Sequence, residues 1–370
     1  MILPQNYIED KALEEEKKLI FFYSWIFVGL KLELSGLSHR GIKVGDKNLI
    51  IQCDSNGKFR AFLNVCSHRN AQLCEVGKHS GAIRCPYHGW SYDREGIPAG
   101  IPQKHAFPQV TANPENFRLR EFECDSVGEF IFVRLSDHGQ TLREYLGSQY
   151  DFLDAVSIGI DKIEDEFLAD VSANWKVVIE NSLEGYHVPA VHSSTFMNVD
   201  GMGQDESAPK FFFDDTLHSY LEHAANTAWT ARFKRMAPKI GTWPLRFEHY
   251  THHFIYPNLT VTSFLGYSFH IQRFDPIATD STSVHSLTVG VKFQGATSVG
   301  LKLMAQIYED GHAFTRKVFL EDSGICRKVQ AGLQNSERTA IFAEGLEDRV
   351  RHFQEAYLRS MTDYQGQKLG

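Results

Sequence analysis

The sequence predicts an α+β chain, with an all-β module set between a leading helix and a larger domain of antiparallel strands and C-terminal helices. Three observations predict it. Residues 39 to 135 carry short apolar runs separated by Gly, Asn, Asp and Pro, the pattern of short antiparallel strands. From 165 onward helical text alternates with strand text, and the last 50 residues are helical. The length of 370 residues suits two domains. The boundaries expected are 1–38 for an N-terminal helical segment, 39–135 for the all-β module and 136–370 for the remainder.

In chain order, residues 9 to 27 read as a helix, with Leu13, Leu19, Ile20, Phe22, Trp25 and Ile26 at helical spacing. Asn48 to Gln52, Phe59 to Val65 and Glu129 to Val133 read as strands. Residues 141 to 156 return to helix. Phe254 to Thr262, Tyr267 to Phe274 and Val284 to Phe293 read as successive strands, with turns at Gly266 and Pro276 to Asp280. Leu346, Val350, Phe353, Tyr357 and Met361 form a helical stripe. The stretch 197 to 248 shows no period and suits a lid or a loop-rich pocket wall.

Composition excludes several classes. A net charge of −8 argues against nucleic-acid binding. The uncharged run Leu19 to Leu30 is twelve residues long, short of the roughly 20 that span a bilayer. His249 to Gln272 is also uncharged, but too polar to span. The acidic start shows no signal peptide. Six cysteines are too sparse for a disulfide framework, so a cytoplasmic protein with reduced thiols is expected. Cys53, Cys74, Cys124 and Cys326 lack paired spacing and read as ordinary small buried side chains.

Cys66 and His68 lie in Cys66-Ser67-His68-Arg69, and Cys85 and His88 lie in Cys85-Pro86-Tyr87-His88-Gly89-Trp90. Each loop offers one thiolate and one imidazole, as a [2Fe–2S] cluster with one Cys₂ iron and one His₂ iron requires. A structural Cys₂His₂ zinc site is the alternative, but zinc fingers pair Cys with Cys and His with His. Gly89 would let backbone N–H groups approach the cluster sulfurs. The pattern resembles the Rieske iron–sulfur proteins.

A second constellation follows. Trp175, Val178 and Ile179 form one face of a helix, and Glu184 and His187 are three residues apart. His187 and His192 are five apart, and converge only if the helix is disturbed, for which Pro189 supplies a break. Two imidazoles and one carboxylate with open positions make the facial triad of non-haem Fe(II) oxygenases. Asn174-Trp175-Lys176, Glu180-Asn181 and Glu184-Gly-Tyr186-His187-x₄-His192 are similar to the iron-binding helix of Rieske non-haem iron oxygenase α subunits, and the resemblance covers nearly the whole chain. It implies a Rieske domain joined to a helix-grip (START-like) catalytic domain. It also implies a mononuclear Fe(II) held by His187, His192 and a later carboxylate. Glu321-Asp322, followed by Val329-Gln330-Ala-Gly332-Leu333, matches the family's acidic pair. Asp322 is assigned and Glu321 is the runner-up, while Glu309 and Asp310 lack the downstream match.

The resemblance further implies an NAD(P)H-dependent reductase (directly or through a ferredoxin), O₂ and a small-molecule substrate as partners. It implies a head-to-tail homotrimer in which an acidic residue bridges a Rieske His of one subunit to an iron-ligand His of the next. Most members carry Asp there; Glu184 departs from that pattern and resembles the carnitine and related quaternary-ammonium monooxygenases. Asn181 and Glu184 are the expected catalytic residues beside the iron. The expected reaction is hydroxylation of a small aromatic substrate. The alternatives are a quaternary-ammonium (carnitine/betaine-like) monooxygenase or N-demethylase, and, of another class, a Rieske electron carrier without oxygenase activity. Phe211, Phe212, Phe213, Trp229, Trp243, Phe247, Tyr250, Phe254, Tyr256, Phe264 and Tyr267 supply candidate pocket aromatics, of which about a third are expected to touch substrate and the rest to be core, and Arg232, Arg246 and Arg273 are candidate carboxylate binders, each read first as a solvated or paired surface charge.

Overall fold

The computed structural model describes residues 1–34, 39–198, 209–213, 217–224, 228–247 and 249–366. The chain divides into two compact units, Lys17–Tyr145 and Met1–Glu16 with Leu146–Gly370. Among the described residues no helix is long and apolar enough to cross a membrane.

The all-β unit contains Ile26–Leu30 (β1), His39–Val44 (β2), Lys47–Cys53 (β3), Phe59–Leu63 (β4), Gly77–His79 (β5), Ile83–Arg84 (β6), Ser91–Tyr92 (β7), Pro98–Gly100 (β8), Glu121–Val127 (β9) and Phe130–Arg134 (β10). Seven of these pair in the order β1-β10-β9-β4-β3-β2-β5, and β6-β7-β8 form a small second sheet. The two candidate cluster loops, residues 66–69 and 85–90, lie between short strands. Their cysteines belong to a buried cluster with Ile50, Phe62, Leu73, Ile83, Trp90, Tyr92, Val110 and Leu119.

The first long helix, α1, spans Asp10–Tyr23 rather than running to 27. Trp25 and Ile26 keep helical spacing in sequence, yet Ile26 opens β1 and pairs with Val133. The five residues of β1 are buried without exception, so periodicity cannot separate helix from strand there. The expected helix at 141–156 is two, Leu142–Leu146 and Ser148–Gly159, divided at Gly147, whose φ is +51°.

The second unit is built on a seven-stranded antiparallel sheet of Ile160–Val171 (β11), Lys210–Phe213 (β12), Ser219–Ala224 (β13), His249–Ile255 (β14), Leu259–Phe264 (β15), Ser268–Ala278 (β16) and Ser281–Val291 (β17), ordered β11-β17-β16-β15-β14-β13-β12. The run Phe254 to Thr262 is therefore not one strand. It crosses a turn at residues 256–258, where Pro257 and Asn258 interrupt the ladder. Gly266 does turn the chain, at φ +73°, and a Cβ there would lie 1.9 Å from the Leu245 carbonyl oxygen. Of the unpatterned stretch 197–248, the described part holds β12, β13 and the helix Ala228–Ile240. The remainder lies outside the described residues.

Three further helices of this unit bear on the site: α2 (Trp175–Leu183), α3 (Ser298–Leu333) and α4 (Asp348–Gly366). In the expected C-terminal stripe, Val350, Phe353 and Tyr357 are buried, while Leu346 precedes α4 and is exposed. The Asn174-Trp175-Lys176 motif ties α2 into the core. Asn174 caps α2 by accepting from the Lys176 N–H, and its amide donates to the Tyr7 and Thr279 carbonyls. Trp175 Nε1 and Lys176 Nζ both donate to the buried Glu16 carboxylate, and Tyr357 adds a third donor. Every member of this network is hydrogen-bonded, which is the condition for burying a charge pair. Gln330 of α3 accepts from the Asn174 N–H. Asp322, Cys326 and Gln330 are spaced i, i+4, i+8, so this bond holds the Asp322 face of α3 toward α2.

Candidate metal centres and catalytic site

In the all-β unit the Cys66 and Cys85 thiols are buried, His68 is half-buried and His88 is exposed. The His68 and His88 rings lie 4.7 Å apart, and His68 is stacked on Trp90. His68 Nδ1 is buried and has no hydrogen-bond partner. A buried imidazole nitrogen without a partner, beside a second imidazole and two buried thiols, fits a bound [2Fe–2S] cluster. Burial pushes both the Cys66 thiol up and the Tyr92 hydroxyl up, the latter beyond its usual range. Tyr92 Oη accepts from the Ser67 N–H at 2.9 Å and lies 3.2 Å from Cys66 Sγ. The Gly89 N–H donates to the Cys85 carbonyl at 3.1 Å. Gly89 holds φ +74°, so glycine is needed there for the left-handed turn. No disulfide forms. Of the four unpaired-spacing cysteines, only Cys326 is fully buried; Cys53, Cys74 and Cys124 are half-buried.

In the second unit the structure brings His187, His192 and Asp322 together. His187 Nε2 lies 3.2 Å from His192 Nε2, and Asp322 Oδ1 lies 3.4 and 3.0 Å from the two. Donors bound at about 2.1 Å and at right angles sit about 3.0 Å apart, so these three atoms fit one face of an octahedral ion. The route to this geometry differs from the sequence expectation. Helix α2 ends at Leu183, and Glu184 is its extended C-cap at φ −128°. The break thus falls at 184–187, before Pro189. Pro189 sits in the first turn of the short helix Val188–Val191, where a missing N–H costs nothing. Glu184 and His187 do not share a helical face; they meet across a turn, with Glu184 Oε2 accepting the His187 N–H at 3.1 Å and Oε1 holding His187 Nδ1.

Glu321 does not point at the centre. Its carboxylate holds His192 Nδ1 at 2.7 Å and accepts from Thr195 Oγ1 at 2.6 Å and from Ser194 Oγ. Each imidazole therefore has its Nδ1 anchored to a carboxylate, which turns Nε2 toward the centre. Asn181 Nδ2 donates to Asp322 Oδ1 at 3.0 Å. Burial opposes the charged form of His187, but Asp322 and Glu184 outweigh it and lift its pKa to about 9. Burial likewise opposes the Asp322 carboxylate, yet the two imidazoles and Asn181 hold it near 2. A cluster so rich in negative charge suits a cation at its centre. Glu309 and Asp310 are exposed on α3.

The candidate pocket aromatics pack mainly on one another or on neighbouring helices. Phe254 and Tyr256 meet Phe353, Tyr250 meets Phe264, and Trp243 meets Phe233 and Phe293. The Trp229 side chain lies outside the described residues. The proposed carboxylate binders are otherwise placed: Arg273 pairs with Asp275 at 2.7 Å, Arg246 stacks on Trp243, and Arg232 is exposed.

Residues 157–363 match the family described as ring hydroxylating alpha subunit (catalytic domain), and residues 24–117 match the Rieske [2Fe–2S] domain. The chain is 31% identical over 195 residues to the glycine betaine monooxygenase oxygenase subunit of Chromohalobacter salexigens, covering 51% of this chain and 43% of that one. It is 25% identical over 379 residues to the anthranilate 1,2-dioxygenase large subunit of Acinetobacter baylyi, covering 92% and 79%. The chain thus spans about half the length of most of the curated relatives it matches. In fold it resembles the quaternary ammonium Rieske monooxygenase CntA, with TM-score 0.78 at 20% identity over 98% of this chain and 95% of that one. It also resembles naphthalene 1,2-dioxygenase from Rhodococcus sp., with TM-score 0.76 at 18% identity over 97% and 94%. With the ring-hydroxylating match covering more than half of its length, and the donor sets for both a Rieske cluster and a mononuclear iron in place, the chain belongs to the Rieske oxygenase α-subunit family.

Proposed function

We propose that this chain is the terminal oxygenase component of a Rieske non-haem iron oxygenase, which uses O₂ and reductase-derived electrons to hydroxylate a small substrate. The observation that carries the reading is the one-sided convergence of His187 Nε2, His192 Nε2 and Asp322 Oδ1 at 3.0–3.4 Å from one another. A ferrous ion bound there supplies O₂ activation at the positions these donors leave open. The residues do the rest. Glu184 and Glu321 keep the Nδ1–H of each ligand imidazole engaged, so that Nε2 presents its lone pair. Asn181 occupies one lone pair of Asp322 Oδ1 and fixes the carboxylate's angle. Cys66, His68, Cys85 and His88 hold the Rieske cluster.

The finer parts of the proposal are an NAD(P)H-dependent reductase as donor, a head-to-tail homotrimer, and Glu184 as the link between a neighbour's Rieske His and His187. Each carboxylate oxygen of Glu184 has a second lone pair with which to accept that neighbouring imidazole. An aromatic substrate is the first reading, supported by the 2-aminobenzenesulfonate and anthranilate dioxygenase relatives. Quaternary-ammonium oxidation is the second, supported by Glu at 184 and by the glycine betaine and carnitine monooxygenase relatives. The test is substrate-dependent O₂ uptake with a surrogate reductase, run beside iron analysis. About three irons per chain and uptake with product support the proposal. About two irons, with reversible reduction and no uptake, make the chain an electron carrier instead.

A further inference from the structure

Arg349, near the start of α4, is fully buried. Its Nε donates to Ser219 Oγ at 3.2 Å, its Nη2 to the Ser219 carbonyl at 3.4 Å, and both Nη1 and Nη2 point at His252 Nδ1 at 3.2 Å. All these acceptors are neutral, for burial and Arg349 itself push His252 well below its usual range. Two N–H groups share the single lone pair of one imidazole nitrogen, so neither bond is complete. Among the described residues no carboxylate pairs with this guanidinium. Burial pulls it down to about 9, and Tyr250 is what pulls it back. An isolated buried charge costs several kcal/mol. A chain that keeps one has a use for it.

The position indicates the use. Along α2 and α4, Trp175 meets Tyr357 and Phe353, and Glu180 meets Gln354. Gln354 is thus level with Glu180, four residues before Glu184, and Arg349 lies five residues, about 7.5 Å, before Gln354 along α4. The sheet face beneath is polar. His252, Thr262 and His270 are cross-strand partners on it, with Tyr250 alongside, and Phe254 on the same face meets Phe353. With Nδ1 of His252 accepting from Arg349, the ring's proton sits on Nε2, a donor on the same wall.

We propose that Arg349 anchors an anionic group of the substrate, a carboxylate or sulfonate, whose two oxygens replace the shared His252 nitrogen as acceptors for Nη1 and Nη2. Planar, bidentate pairing is what a guanidinium provides and a lysine does not. The assignment rests on reading His187, His192 and Asp322 as the centre of the substrate site, and names the substrate class for it.

The test uses the purified holoenzyme, with calorimetric binding and thermal shift. The probes are benzoate, 2-aminobenzoate and trimethylglycine, each paired with its primary amide. At least one acid is expected to bind about tenfold tighter than its amide and to raise Tm by mass action. Arg349→Gln should remove that preference, bringing the acid to the affinity of its amide, and Arg349→Lys should keep part of it. Acids binding no better than amides in the wild-type protein would overturn the assignment. So would an Arg349→Gln protein that keeps the preference, or failure of every acid to stabilise the wild type. If Arg349→Gln does not fold, the wild-type acid–amide comparison and Arg349→Lys decide. Iron content separates the two readings: three irons with O₂ uptake on a neutral substrate sinks only the anchor, while acid binding through Arg349 at two irons per chain sinks only the oxygenase.

Discussion

Removing the Glu321 carboxylate should loosen the mononuclear iron without touching the Rieske cluster. The wild-type carboxylate accepts from His192 Nδ1 at 2.7 Å, from Thr195 Oγ1 at 2.6 Å and from Ser194 Oγ. In Glu321→Ala all three donors lose their acceptor. Ser194 is exposed and finds water, but the His192 ring is 1% exposed and Thr195 3%, so those two stay dry. Two buried donors left unsatisfied cost about 1–3 kcal/mol each, part of which the ring recovers by rotating away from the ligating pose. Loss of an outer carboxylate partner lowers metal affinity by about 10–100-fold, or about 1.4–2.7 kcal/mol. The expected result is an iron dissociation constant raised by that factor, read by competition with a ferrous chelator. Excess Fe(II) should restore occupancy, and the visible Rieske spectrum should be unchanged. Asp322→Ala, by contrast, should leave about two irons per chain at any practical Fe(II) concentration. Wild-type affinity in Glu321→Ala would refute the role given to Glu321. Loss of iron that excess Fe(II) cannot restore would make Glu321 a ligand.

Three further outcomes are expected. Glu184→Ala should lose steady-state turnover even after Fe(II) is added back to full occupancy, whereas turnover that returns with the iron would reduce Glu184 to an orienter of His187. Tyr92→Phe removes the hydroxyl 3.2 Å from Cys66 Sγ and should lower the cluster's reduction potential in voltammetry by roughly 40 mV, the equivalent of about 1 kcal/mol; an unchanged potential would show that this contact does not reach the cluster. Glu180, which accepts from Tyr7 and Gln354, is pushed by burial up to about 7. A carboxyl raised in the folded state contributes its stability fully below about 4.5 and loses it as pH rises through 7. Urea midpoints at pH 5 to 8 should therefore fall less steeply in Glu180→Gln than in the wild type, and parallel curves would contradict the shift.

Much of this was legible in the sequence because metal ligation imposes spacing. Cys66-x-His68 and Cys85-x₂-His88 can be read without knowing the strands around them, and the two loops do bring their rings to 4.7 Å. His187, His192 and Asp322 were legible only through the family resemblance, because a His-x₄-His pair and a carboxylate far along the chain carry no spacing signal of their own. Gln330 caps α2 through Asn174, which explains why the Val329-Gln330 register selects Asp322 over its neighbour. Local geometry was less legible. The approach of Glu184 to His187 suggests helical i, i+3 spacing, but it comes from a C-cap turn, and residue spacing alone does not separate the two. Helix and strand were likewise confused at Trp25 and Ile26, where every side chain is buried and periodicity carries no information.

Charges that act through a third residue were harder to read. Glu321 sits about 100° around α3 from Asp322, and only the fold shows that this offset delivers its carboxylate to the far side of the His192 ring. The arginines named from the pocket text are placed as the paired or solvated charges of their first reading. Arg273 and Arg246 lie in the right segment, but Arg273 is neutralised by Asp275 and Arg246 lies over an indole. Arg349 lies outside that segment and carries a signal that can be read without a structure. It falls four residues before Phe353 and eight before Tyr357, on the apolar stripe of α4. A guanidinium written into a buried helical stripe must be paired inside the fold or matched by something that enters it. Among the described residues the fold supplies no carboxylate, and the proposed substrate anchor takes the second course.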